Sequence, residues 1–275
     1  VKNTALGSSA LLANTTASNN TAVGYNASTA NTTGTQNTAV GAYALDANTT
    51  GYTNVAIGIE SLSACTTGYN NVAIGVEALD ALTTASNNTA VGRSALGANT
   101  TASNNTAVGY QALDANTTGD LNVAIGVNAL GASTTADRNV AVGKDALAAY
   151  SATGDQYTVA VGFNAMGATT SGGNCTAVGG GALAGNTTGG SNTALGYFAL
   201  TTNTTASNNT AIGRAALYNS TADDNTAVGY NALTANTTAD NNSAFGYGAL
   251  RANTTGTSLT AVGKVSLASN TTGSQ

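Results

Sequence analysis

The side chains with the most chemical reach fall at fixed intervals along this sequence. Tyr25, Tyr110, Tyr197, Tyr230 and Tyr247, with Phe163, Arg93, Lys144, Arg214 and Lys264, each directly follow the glycine of one recurring tripeptide. A row of rings and cations in that position could stack against a glycan or a matrix protein. The plainer account is a solvent-facing rank that nothing constrains. Asn14, Asn31, Asn48, Asn99, Asn116, Asn236 and Asn253, together with Asn186, Asn203 and Asn270, each open an Asn-Thr-Thr triplet, the acceptor pattern for N-glycosylation. The alternative is that they form stacked Asn and Thr ladders. Asp46, Asp80 and Asp114 share one phase of the repeat. Two periods apart and stacked as strands, they would stand roughly 9–10 Å from one another, too far to clamp one cation. The calcium-binding Gly-Gly-x-Gly-x-Asp repeat is missing.

Catalytic chemistry has little to work with. The chain has no His, Trp or Pro, which removes the commonest general base and metal ligand. No nucleophile–base pair, paired-carboxylate outlier or phosphate loop stands out, so neither an enzyme nor a metal or cofactor site is expected. Only 7% of residues are charged, the net charge is −5, and no basic run could track nucleic acid. No apolar stretch is long enough for a membrane span. Cys65 and Cys175 sit at different phases, about six coils apart, far beyond disulfide reach; each reads as a small side chain in an Asn slot.

These residues are positioned by an internal repeat. The tripeptide Ala-[Val/Ile/Leu/Phe]-Gly occurs sixteen times, with its glycines 17 residues apart in thirteen of fifteen intervals. The exceptions are 19 residues from Gly143 to Gly162, read as a bulged loop over 149–157, and 16 from Gly213 to Gly229. One coil, Asn225 to Asn241, reads NTAVGYNALTANTTADN. The run Thr226-Ala227-Val228 is a short strand by composition. Neighbouring strand residues face opposite ways, and both Ala and the aliphatic are kept apolar throughout, so both faces should be buried. One face is covered by the coil itself; the other calls for the same surface of another chain. Val23, Val40, Ile57, Ile74, Val91, Val108, Ile125, Val142 and Val228 are therefore candidates for an oligomer core.

No residue but Gly occupies the third tripeptide position, so Gly24, Gly41, Gly58, Gly75, Gly92, Gly109, Gly126, Gly143, Gly196, Gly229 and Gly246 mark a turn that needs positive φ or a backbone approach too close for Cβ. Leu233, four residues past its glycine, is the core plug of its coil; Met166 is a volume-conserving swap and Ser28 a weak one. The remaining Thr-Ala-Asn-Thr-Thr-x-x-Asn is small, polar and suited to ladders. Helical repeats are disfavoured because the apolar spacing does not continue at a period of 3.6. The expected fold is all-β: a parallel β-solenoid of about sixteen 17-residue coils in a single array over 1–275, roughly 75–80 Å long. A lone coil buries too little to order itself, so coils, and then chains, must stack. Neither end shows a cap and the two end phases nearly coincide, which suits a piece of a longer fibre or head-to-tail stacking.

The motif Asn-Thr-Ala-Val-Gly-x-x-Ala-Leu, at Asn105 to Leu113 and Asn225 to Leu233, and its variant Asn71-Val-Ala-Ile-Gly75, resemble the head repeats of YadA-like trimeric autotransporter adhesins. Phage tail-fibre repeats are similar. The resemblance covers all 275 residues, although most coils here add an Asn-Thr-Thr-Gly-type loop to a shorter family period. It implies a homotrimer of left-handed β-rolls with the Val/Ile face lining the axis, on an extracellular, cell or virion surface. The expected function is a structural fibre or adhesin segment that assembles with itself and offers a repetitive surface, with a host glycan or matrix protein as further partner. A self-stacking filament or phage shaft is the alternative. Ice binding would need Thr-x-Thr on one strand face, and Thr-Ala-Val does not supply it.

Overall fold

The computed structural model describes residues 2–274. It is a parallel β-solenoid with no helix among the described residues. Where the repeat reads as a single array, the coils group into two compact units, Val1–Arg138 and Asn139–Gln275.

The first unit carries strands β1 (Thr4–Leu6), β2 (Thr21–Val23), β3 (Thr38–Val40), β4 (Val55–Ile57), β5 (Val72–Ile74), β6 (Thr89–Val91), β7 (Thr106–Val108), β8 (Val123–Ile125) and β9 (Thr135–Asp137). β1 to β8 pair in sequence order, parallel and in exact repeat register, as in Thr21↔Thr38, Ala22↔Ala39 and Val23↔Val40. The second unit carries β10 (Val140–Val142), β11 (Thr153–Asp155), β12 (Val159–Val161), β13 (Thr176–Val178), β14 (Thr193–Leu195), β15 (Thr210–Ile212), β16 (Thr226–Val228), β17 (Ser243–Phe245) and β18 (Thr260–Val262). There β10 pairs with β12, β11 being looped out of the ladder, and β12 to β18 follow in order.

Each strand of the coil ladder, β9 and β11 aside, is only three residues long because the following glycine turns the chain. Gly24 has φ 140°, and a Cβ there would collide with the carbonyl oxygen of Gly41 in the next coil. Both reasons for an all-Gly position are therefore present at once. Beyond it the backbone alternates hand: the residues two and four past the glycine have positive φ, as do those five before the next one. In the third coil these are Tyr43 (58°), Leu45 (52°) and Thr53 (56°). Such a segment is not extended, yet it stays bonded between coils. Asn26 N–H donates back to Ser8 O at 3.0 Å, and Ser28 N–H donates forward to Ala44 O at 2.9 Å.

The core is the inside of each coil. Between the first and last coils the strand alanines and the pair after the turn are buried, with Met166 taking the Leu position in its coil; in the end coils Ala5 and Leu267 are exposed. Leu45, Leu62, Leu79 and their equivalents stack one above the next, which is how a bulky residue is held in the left-handed region that would otherwise cost about 1–2 kcal/mol.

Candidate functional site

Chemistry concentrates in three places: the interior Asn columns, the aromatic and acidic ranks after the turn, and the outer strand face.

The Asn residues form two buried columns that work as side-chain staples. Four residues before each repeat glycine, Asn20 Oδ1 accepts from the N–H of Asn37 at 2.9 Å, while its Nδ2 donates to Gly34 O at 2.8 Å. Seven residues after the glycine, Asn48 Nδ2 donates to Asn31 Oδ1 at 2.9 Å and to Gly51 O at 3.1 Å. A third column, nearer the surface, uses Ser or Asp: Ser103 N–H donates to Asp120 Oδ1 at 2.6 Å, and Asp120 N–H to Asp137 Oδ1 at 2.7 Å. These columns answer the backbone groups that the irregular part of the coil leaves open.

This corrects the glycosylation reading. Asn31, Asn48, Asn99, Asn116, Asn186, Asn203, Asn236 and Asn253 are buried with their amides committed to the coil, so a sugar on that nitrogen is incompatible with the packing. Asn14 and Asn270, in the first and last coils, are half-buried, and their amides also bond to the chain. The cysteines sit in these columns, both free and buried. Cys65 occupies the slot of Asn48, and Cys175 that of Asn192, whose N–H lies 3.4 Å from Cys175 Sγ. Burial raises both thiols, Cys65 to about 11, so neither is an available thiolate at neutral pH.

The aromatic rank is occupied with itself. Tyr230 and Tyr247 stack with centroids 5.1 Å apart; Arg214 lies 5.5 Å from the Tyr230 centroid and donates to its hydroxyl at 3.0 Å, and Lys264 lies 6.0 Å from that of Tyr247. Tyr25 meets Tyr43 edge to face at 5.3 Å, and Tyr197 meets Phe198 at 4.1 Å. Lys144 lies 5.8 Å from the Phe163 ring, and Arg93 reaches Glu77 at 3.9 Å. Tyr110 is exposed. In the Arg214–Tyr230–Tyr247–Lys264 stack the ring faces are spent on neighbours, which leaves edges and hydroxyls for any ligand. Tyr52 and Tyr69, stacked at 4.9 Å in another rank, were not singled out by the tripeptide pattern.

The acids come closer than coil spacing suggests. Asp80 and Asp114 both lean over Gly97, their Oδ1 atoms within 3.4 Å and 3.2 Å of the point a Cβ on that glycine would occupy. The missing side chain thus lets two carboxylates face each other across one coil; burial raises Asp80 most, Glu77 next, and Asp114 adds the smallest part. Asp46, raised chiefly by burial, lines a hollow of about 270 Å³ with Tyr43, Glu60, Ser63 and Ala64. Among the described residues no group of three His, Cys, Asp or Glu side chains is placed to hold a metal ion.

The outer strand face is apolar and uncovered by the chain's own fold. Each strand turns its Ala inward and its two flanking residues outward. Ile57, Ile74 and Ile125 are 38%, 37% and 40% exposed. Val23, Val40, Val91, Val108, Val142 and Val228 hold the same position half-buried. None of the seven cations and twelve acids falls on a coil strand from β1 to β8 or on β10 and β12 to β18. No helix among the described residues is long and apolar enough to cross a membrane. No protein-family model matches the chain, and no curated protein matches it either.

Proposed function

We propose that this chain is a structural fibre segment of adhesin type, assembling with copies of itself through the outer strand face, in the trimeric arrangement its repeats resemble, and acting outside the cell or on a virion. The observation that carries this is the uncharged aliphatic column repeated on every coil while the core behind it is already filled with Ala and Leu. Such a column left in water within each unit is the ordinary mark of an interaction surface. A parallel solenoid presents the same column at the same rise in every copy, so the surface complements itself. The interior staples and buried Asn columns suit a rigid spacer. A glycan or matrix ligand would meet the edges of the Tyr and Arg rank.

The test is mass in solution. Light scattering on purified protein at micromolar concentration is expected to give a defined oligomer, three copies by the resemblance, and electron microscopy to separate a threefold shaft from an end-stacked filament. Ile74→Asp places a charge in the column and is expected to lower the mass towards one chain while circular dichroism stays unchanged. A wild-type monomer under those conditions overturns the reading.

A further inference from the structure

A uniform repeat has no preferred axial register. If two copies meet along faces whose coils are all alike, sliding one by a whole coil restores nearly every contact. Registers of flat, repetitive strands are weakly specified for this reason. In the first unit the outer face is not uniform, and the way it departs from uniformity is ordered.

Five of its coils have Thr at the first strand position, Val or Leu at the third, and Ser, Tyr, Ala or Arg after the glycine. The other three have Val, then Ile, then Ile or Val: Val55/Ile57/Ile59, Val72/Ile74/Val76 and Val123/Ile125/Val127. Within the first unit all three positions switch together, and only together; in the second unit they vary separately, as in Val140/Val142/Lys144 and Thr210/Ile212/Arg214, so the key belongs to the first unit. Positions that change as a set share one environment. The strand valines are half-buried, while Ile59, Val76 and Val127 are 53%, 39% and 42% exposed. The chain's own core does not account for the change, since Ala lies behind every one of these strands and the Leu plug is kept in all three coils.

We propose that these three coils are a register key for the association of this chain with copies of itself; the inference rests on the self-association proposed above. Counted by repeat glycine they are the fourth, fifth and eighth coils. Their separations are one, three and four coils, and each separation occurs once. Parallel copies aligned coil to coil match all three patches. Any slip by whole coils matches one patch or none, and sets the remaining aliphatics against Thr, Tyr or Arg, where burying them gains less. An antiparallel pairing matches two at most. The occupant of the face is a second copy because the strand positions of the face carry no charge to be matched by an oppositely charged partner, and because a parallel copy presents the same three patches at the same rise in the same order.

The test reads register directly. Thr21→Cys and Thr38→Cys chains are mixed, refolded together and oxidised; the native Cys65 and Cys175 are buried. Disulfides joining position 38 to position 38 report aligned copies, and those joining 21 to 38 report a slip of one coil. Aligned disulfides are expected to exceed slipped ones by about tenfold or more, because a one-coil slip forfeits two of three patches. A second background makes coils four to eight alike, with Thr89→Val, Val91→Ile, Arg93→Val, Thr106→Val, Val108→Ile and Tyr110→Val. Its face is more apolar, so assembly is kept, and the slipped fraction is expected to rise at least several-fold. Equal amounts of the two disulfides in the native pattern, or no rise in the uniform one, overturn the key while leaving self-association standing. If the Thr21→Cys and Thr38→Cys mixture forms no intermolecular disulfide and wild-type protein scatters as single chains, self-association falls and the key with it.

Discussion

At the residue scale the Asn columns show how much depends on one amide. Asn48 Oδ1 is buried and has no hydrogen-bond partner, because the next residue in its column is Cys65, whose thiol donates to Gly68 O at 3.8 Å instead. An unpaired buried acceptor costs about 1–3 kcal/mol. Cys65→Asn supplies the missing Nδ2–H and is expected to stabilise the protein by about 1 kcal/mol, read as a higher urea midpoint at unchanged slope. A lower midpoint would mean the slot cannot take the amide. A second residue-scale effect comes from backbone hand. Thr53 holds φ 56° on the surface, in the position where Asn19, Asn70, Asn87 and Asn104 stand in other coils. Asn adopts that region more readily than a β-branched residue. Thr53→Asn is expected to add about 0.5–1 kcal/mol, measured the same way. Neither site was visible in the sequence: Cys65 carries no mark of the acceptor it leaves open, and Thr53 none of positive φ, which only the Asn at some copies hinted at.

At the scale of the coil, the 19-residue interval from Gly143 to Gly162 has a physical cause. Tyr150 stands where Asn stands in most other coils and is the largest fully buried side chain. Its hydroxyl lies 3.3 Å from Gln156 Oε1 and 3.5 Å from Thr158 Oγ1, Thr158 itself replacing the Asn of the other column. The extra residues make room for the ring. Tyr150→Phe is expected to cost about 1 kcal/mol for the lost hydrogen bonds, and Tyr150→Ala about 3–5 kcal/mol for the cavity; chemical denaturation checks both, and equal costs would show that the ring is not packed as described. The repeat made the strand, the inward Ala, the Leu plug and the turn glycine legible, because sixteen internal copies report what each position tolerates. What it hid was depth. An Asn-Thr-Thr triplet looks the same on a surface loop as in a buried staple, so the glycosylation reading of Asn31 or Asn116 fell to burial alone. Asp80 and Asp114 were placed by Cα spacing, which ignores how far a carboxylate reaches over a glycine. The division after Arg138 follows no change in composition.

For the whole molecule three half-buried acids set an unusual response to pH. The net charge is −5, and Asp46, Asp80 and Asp114 all have carboxyls held above the ordinary value of 3.8, burial being the first cause in each. For Asp114 the hydrogen bond from Gln111 Nε2 at 3.2 Å pulls the other way without cancelling burial. A carboxyl raised by folding binds its proton more tightly in the native state than in the unfolded chain. Its contribution to stability is therefore fully present below about 3.8 and is lost as pH rises through the raised folded value. This is opposite in sign to the salt-bridged carboxylates that make most proteins acid-labile. Cooling of the overall repulsion towards the isoelectric point, near 4.3, acts in the same direction. Salt separates the two effects, since about 1 M salt screens repulsion between distant charges but not the desolvation of a half-buried one. In such salt the thermal midpoint is expected to rise as pH falls from 7 to about 4, and the Asp46→Asn, Asp80→Asn, Asp114→Asn triple variant to begin higher at neutral pH and rise less. A native midpoint that falls throughout that window, or a triple variant with an unchanged profile, would show that these carboxylates are hydrated and not strained by the stack.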